Sequence, residues 1–85
     1  MKICMVSSEA VPFIKSGGLA DVVSALSHSL SREGEDVRII LPRFSTVLSD
    51  QIREATRIRV PMGLEEDGCT VFEGRLPDSD IPVYF

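Results

Sequence analysis

One stretch of this sequence has residue types and spacing suited to chemistry: Lys15-Ser16-Gly17-Gly18-Leu19-Ala20-Asp21-Val22. A cation stands just before two adjacent glycines, and an amphipathic segment follows. Glycines without a Cβ let a ligand approach the backbone closely and leave amide donors uncovered. If a helix begins there, its first amides are unpaired and its dipole places partial positive charge at that end, which suits a phosphate. Lys15 adds a full charge beside it. A charge-assisted contact of this kind contributes about 1.5–3 kcal/mol. The plainer reading stays open on chemistry alone: Gly-Gly before a helix is often punctuation, and a loop lysine is often solvated. The stretch is not a Walker A loop, where the lysine follows the glycines, and it lacks the G-x-G-x-x-G of dinucleotide sites.

The elements that must position this loop can be read from periodicity. Lys2 to Val6 is a short continuous apolar run, as in a parallel strand covered on both faces. Pro12 and then Ser16-Gly17-Gly18 break the chain. Leu19, Val22, Val23, Leu26 and Leu30 next recur at offsets of three, four, seven and eleven, one face of a helix running from about Gly18 to Glu33. Asp21, Ser24 and His28 fall on the outward side, where His28 is solvated, and Gly34 supplies the stop. Val37 to Leu41 is the next strand, closed by Pro42. Strand, loop, helix, Gly turn and strand make a βαβ unit, with the loop at a strand's carboxyl end where open α/β sheets bind ligands.

Beyond it the pattern weakens. Phe44, Val47, Leu48 and Ile52 hint at a short helix or ordered loop between Arg43 and Glu54. Thr56–Met62 and Cys69–Arg75 read as a β-hairpin joined by Gly63 to Gly68, with Glu65-Glu66-Asp67 as a solvated tip. Ile81 to Phe85 begins another strand. One helix cannot cover both faces of a parallel sheet, so the 85 residues are expected to be the beginning of a larger domain.

Composition excludes several classes. Nine Lys+Arg against thirteen Asp+Glu give a formal net charge of -4, with the basic residues scattered, so nucleic acid is not expected as a partner. No apolar run suits a secretory signal or a membrane span. Cys4 and Cys69 lie in apolar runs far apart and read as two buried thiols of a reducing compartment, with the cytoplasm as default. No His/Asp/Glu spacing points to a metal.

The residues Ser8 to Val22 resemble the N-terminal signature of the glycogen and starch synthases, whose hallmark is Lys-Ser/Thr-Gly-Gly-Leu-x-Asp-Val. Leu26, Leu30, Gly34, Val37, Arg38, Leu41, Pro42 and Arg43 are similar to that family's continuation through its second strand, and Leu76 to Phe85 to a later one. The one visible departure is Glu35, where members often carry His after the glycine that ends the first helix. The resemblance implies an α/β fold, the N-terminal part of a Rossmann-like domain of a GT-B glycosyltransferase, incomplete in this chain. It implies transfer of glucose from ADP-glucose to the non-reducing end of an α-1,4-glucan with retention, in glycogen biosynthesis, with no metal or cofactor.

Carried onto this sequence, the resemblance makes Lys15, Gly17 and Gly18 the ADP-glucose contacts. Lys15 would neutralise charge on the departing ADP, and the glycines would offer backbone N–H groups or clearance. Most of the nucleotide surface belongs to the family's second domain, so no catalytic residue is assigned here and the isolated chain is expected to be inactive. Glu9 has two readings, a contact to sugar hydroxyls or a structural loop acid. Asp21 belongs to the motif and equally suits a first-turn acid, and Ser16 reads as the helix N-cap or its neighbour. Two competing functions are a non-catalytic remnant or interaction module, and another GT-B glycosyltransferase with a different donor.

Overall fold

The computed structural model describes residues 1–44, 47 and 52–85. Its elements are β1 (Lys2–Val6), α1 (Gly18–Arg32), β2 (Asp36–Ile40), β3 (Arg53–Met62), β4 (Glu65–Arg75) and β5 (Pro82–Tyr84). They form one mixed sheet in the order β1-β2-β5-β4-β3. β1 runs parallel to β2, pairing Ile3 with Val37 and Met5 with Ile39, and α1 makes the crossover. β5 lies parallel to β2 and antiparallel to β4, joining the βαβ unit to the β3–β4 ribbon. Helix α1 stops where expected, and Gly34 takes a left-handed φ of 91° just beyond it.

One face of the sheet carries the core. Val37, Ile39, Leu41, Ile81, Val83 and Phe85 pack there with Val23 of α1 and with Ala10 and Phe13 of the preceding loop. The Phe13 and Phe85 rings meet edge to face with centroids 5.0 Å apart. The other face is open: in β2 the buried Val37 and Ile39 alternate with exposed Asp36, Arg38 and Ile40. β1 is an edge strand with Lys2, Cys4 and Val6 exposed, so the expectation of a strand covered on both faces does not hold in this chain.

Two further readings are corrected. The helix buries Ala20, Val23 and Ser27. Leu19, Val22 and Leu26, expected on the inward face, are 50%, 60% and 44% exposed. Small residues bring the helix axis close to the loop and sheet. Ser24, expected outward, turns to the loop, because the Val11 backbone needs partners there: Val11 N–H donates to Ser24 Oγ at 2.9 Å. His28 is half-buried rather than solvated.

The hairpin is the second correction. β3 and β4 are longer than read, and a two-residue turn of Gly63 and Leu64 joins them, with Gly63 at φ 69°. Glu65, Glu66 and Asp67 therefore belong to β4. An exposed two-stranded ribbon tolerates charge on both faces, which is why acidity was a poor guide to the turn; Glu66 faces Arg59 at 3.7 Å. Of the expected short helix or ordered loop between Arg43 and Glu54, Arg53 and Glu54 belong to β3, and residues 45, 46 and 48–51 lie outside the described residues.

Cys4 and Cys69 are free and exposed, not buried. Each sits in a strand where alternation or the two-sided exposure of the ribbon turns it outward. Both thiols are expected to react with Ellman's reagent in the folded chain, without denaturant. A stoichiometry of two released thiolates checks this, and none would mean that both side chains are covered in solution.

Candidate functional site

The segment from Ser7 to Gly17 leaves the end of β1 and crosses the N-terminus of α1. It is held by its own backbone first: Ser7 N–H donates to Ile40 O, and Ile14 N–H donates to Ala10 O at 3.0 Å, closing a tight bend. Ser7 Oγ donates to Glu9 O at 2.8 Å. Ser24 bonds both polar atoms of Val11, its Oγ donating to Val11 O at 3.2 Å. Ser24 is thus a positioning side chain that sequence reasoning missed. The available signal was Pro12: a bend around a proline leaves neighbouring backbone groups needing side-chain partners.

Glu9 lies at the centre. Only 8% of the residue is exposed. Its carboxylate accepts from the Ser16 hydroxyl and from the Ala20 amide, the latter at 3.2 Å. Ala20 is the third residue of α1, whose N-cap position is Gly17 and has no side-chain cap. Glu9 therefore caps α1 from eleven residues upstream, supplying the oxygen that a Ser or Asp at the N-cap would ordinarily provide. Ser16 precedes the N-cap and bonds Glu9 rather than the helix. Of the two readings of Glu9, the geometry supports the structural one.

The hydroxyl of Ser16 does most to hold the Glu9 carboxyl below its usual range; burial opposes this, and the amides of Ala20, Ser16 and Gly17 reinforce it. A carboxyl depressed in the folded state contributes stability above its unfolded pKa, and loses it as pH falls through the folded value. The difference in urea midpoint between the native chain and Glu9→Gln is expected to be constant above about pH 5 and to shrink on acidification. A difference independent of pH down to acid unfolding would contradict this assignment.

Lys15 and the glycines face outward. Lys15 Nζ donates to Asp21 Oδ1 at 3.0 Å, with the side chains 53% and 58% exposed. Asp21 is thus both a first-turn acid and the partner of Lys15, a pairing the sequence reading did not anticipate. Exposed pairs of this kind contribute about 0–1 kcal/mol. Gly17 is extended, and a Cβ added at Gly17 or Gly18 would meet nothing within 4 Å. Neither glycine takes a positive φ. Lys15, Ser16, Gly17, Gly18 and Asp21 so form one exposed surface at the start of α1, underlain by the buried Glu9. Among the described residues no group of three or more His, Cys, Asp or Glu side chains could hold a metal, and no helix is long and apolar enough to cross a membrane.

Comparison with known proteins decides the family. The starch synthase catalytic domain family matches residues 2–85. The chain belongs to that family. It is 48% identical over 91 residues to glycogen synthase 1 of Geobacter metallireducens and 43% identical over 86 residues to the glycogen synthase of Treponema denticola; each match covers 100% of this chain and 18% of the relative. Among solved structures it is similar to the catalytic domain of starch synthase IV from Arabidopsis thaliana bound to ADP and acarbose. That likeness has a TM-score of 0.85 and 29% identity, covering 98% of this chain and 17% of the other. The fold read from the sequence holds: this is the N-terminal part of the Rossmann-like domain of a GT-B glycosyltransferase. The chain spans less than a fifth of the length of these starch synthase relatives.

Proposed function

We propose that this chain is the N-terminal portion of a starch synthase catalytic domain in an ADP-glucose-dependent glycogen synthase. The enzyme transfers glucose to the non-reducing end of an α-1,4-glucan with retention, in cytoplasmic glycogen biosynthesis. In that reading Lys15, Gly17 and Gly18 meet the donor's diphosphate. When the bond between the glucose C1 and the diphosphate oxygen breaks, the electron pair stays with ADP, and the Lys15 ammonium neutralises the charge that develops there. The principal nucleotide-binding domain lies outside these residues, and closure of the two domains assembles the site and excludes water.

One observation carries this reading. Nothing among the described residues requires glycine at 17 or 18: neither has a left-handed φ, and both have open space where a Cβ would stand. Within the helix, at Gly18, glycine nonetheless costs stability, about 0.4–1 kcal/mol relative to alanine at a compatible site, whereas Gly17 stands at the N-cap, where glycine is preferred to alanine. A residue that weakens the fold and fills no need of the fold points to something outside it that approaches the backbone, and the cation beside it sets the sign of that ligand. The Arabidopsis starch synthase, whose structure holds ADP and acarbose, supports a nucleotide and a glucan as the two ligands.

The test is a chimera in which these 85 residues replace the matching segment of the Geobacter metallireducens glycogen synthase 1. Lys15→Ala in the chimera is expected to lower kcat/KM for ADP-glucose by roughly ten- to a few-hundredfold, the equivalent of one lost ionic hydrogen bond. Unchanged kinetics would make Lys15 a bystander and overturn the reading. Gly18→Ala is expected to move two measurements in opposite directions: the 85-residue chain gains about 0.4–1 kcal/mol in urea denaturation, while glucosyl transfer by the chimera falls. Loss of stability in that variant would show that the fold itself needs the glycine.

A further inference from the structure

The fold encloses its aromatic rings with one exception. The sequence holds four phenylalanines and one tyrosine. Phe13 and Phe85 are buried edge to face, and Phe72 and Tyr84 are half-buried on the sheet. Phe44 is 47% exposed and forgoes the burial that the other four obtain. A lone exposed ring is ordinary on a protein surface, so its place in the fold decides its meaning. Ser7 N–H donates to Ile40 O at 3.1 Å. The exit of β1 toward Lys15 and the exit of β2 toward Phe44 therefore lie side by side at the carboxyl end of the sheet, where open α/β sheets hold ligands.

The exit of β2 is fixed at each step. Leu41 is buried and donates its N–H to Tyr84 O at 2.8 Å, Pro42 restricts the backbone, and Val47 N–H donates to Phe44 O at 3.0 Å. Between them the Arg43 guanidinium lies over the Phe72 ring, 4.2 Å from its centroid. Phe72 is itself held by two backbone hydrogen bonds to Phe85. A guanidinium stacked on a ring is oriented by it and keeps its in-plane N–H donors at the edge.

We propose that Phe44 and Arg43 bind the acceptor glucan, Phe44 stacking on the C–H face of a glucose unit and Arg43 donating to hydroxyls at its rim. A pyranose is apolar on its C–H faces and polar around its edge. The negative face of a phenyl ring attracts those C–H groups, and a guanidinium supplies donors to uncharged hydroxyl oxygens. The inference rests on the α-1,4-glucan acceptor of the proposed function and not on Lys15. The donor's phosphates are already met by Lys15 and the glycines, whereas the glucan has had no contact on this chain. Charge then leaves β1, and a flat apolar surface leaves the neighbouring β2.

The test uses the chimera with maltohexaose as acceptor. Phe44→Ala is expected to raise the KM for maltohexaose at least about tenfold, with the KM for ADP-glucose unchanged within about twofold. Phe44→Tyr, which keeps the ring, is expected to retain the native acceptor KM. Should Phe44→Ala fail to fold, Phe44→Leu keeps the bulk and loses the flat face, and is expected to raise that KM about fivefold. Arg43→Lys keeps the charge and loses the fork, with an expected rise of about tenfold. A native acceptor KM in Phe44→Leu or in Arg43→Lys would overturn the proposal. So would a rise confined to the KM for ADP-glucose, which would make Phe44 a platform for the nucleobase. Native kinetics in Lys15→Ala beside a raised acceptor KM in Phe44→Leu would sink the diphosphate reading and uphold this one. A parent chimera that transfers nothing to maltohexaose would overturn the glucan reading and this inference with it.

Discussion

The bond between the Glu9 carboxylate and the start of α1 is the constraint on which this part of the fold depends. Helix α1 begins with two glycines, offers no side-chain cap at Gly17, and carries a Ser16 hydroxyl that points elsewhere. By propensity alone this is a poor place to nucleate a helix. An acid from the previous loop supplies the missing acceptor and compensates the dipole in the same step. Because Glu9 follows β1 directly, the cap also ties the strand's exit to the helix's entry. The crossover from β1 to β2 is in this way fixed at its most irregular point by a side chain, with Ser24 and the Val11 backbone forming a second tie one turn further on.

The arrangement separates burial from charge. The chain carries a net charge of -4, and the anionic donor proposed for it must still find a positive place on it. Within the cluster the negative charge of Glu9 is enclosed by donors and works locally, its carboxyl held ionised by the Ser16 hydroxyl. The ammonium of Lys15 is left on the surface, with an exposed acid for company. A buried carboxylate with its donors satisfied cannot be removed without stranding them, whereas a surface ion pair exchanges partners at little cost.

What the sequence disclosed follows the same division. The βαβ order, the extent of α1 and the stop at Gly34 were legible because they rest on local rules: period, breaker and left-handed cap. The motif around Lys15 was legible as a pattern, and its position at a strand's carboxyl end followed from the element order. The rotation of α1 was not legible, because a wheel that counts only apolar residues places Ser24 outward, and the bend at Pro12 needs that serine inward. The cap by Glu9 was hidden for a related reason: capping rules look three residues ahead, and this acid reaches eleven. Cys4 and Cys69 were misread because an apolar run says nothing about which sheet face is covered. The acidic start of β4 looked like a turn because the ribbon it belongs to is wet on both sides.

The two acids flanking the lysine-glycine turn therefore have opposite characters despite their similar chemistry. Glu9 is inward, multiply bonded and held charged by its surroundings. Asp21 is outward and bonded once, to a flexible four-carbon stem. A turn built between a fixed anion and an exchangeable one keeps its backbone still while its cation changes partners. In the proposed reaction the incoming diphosphate takes the place of Asp21 at Lys15, at a cost of no more than the small worth of an exposed pair. The two open glycines leave the surface beside that ammonium free of side chains. Orientation and recognition are thereby carried by different residues of one short segment, and the buried bond makes the exposed exchange inexpensive to the fold.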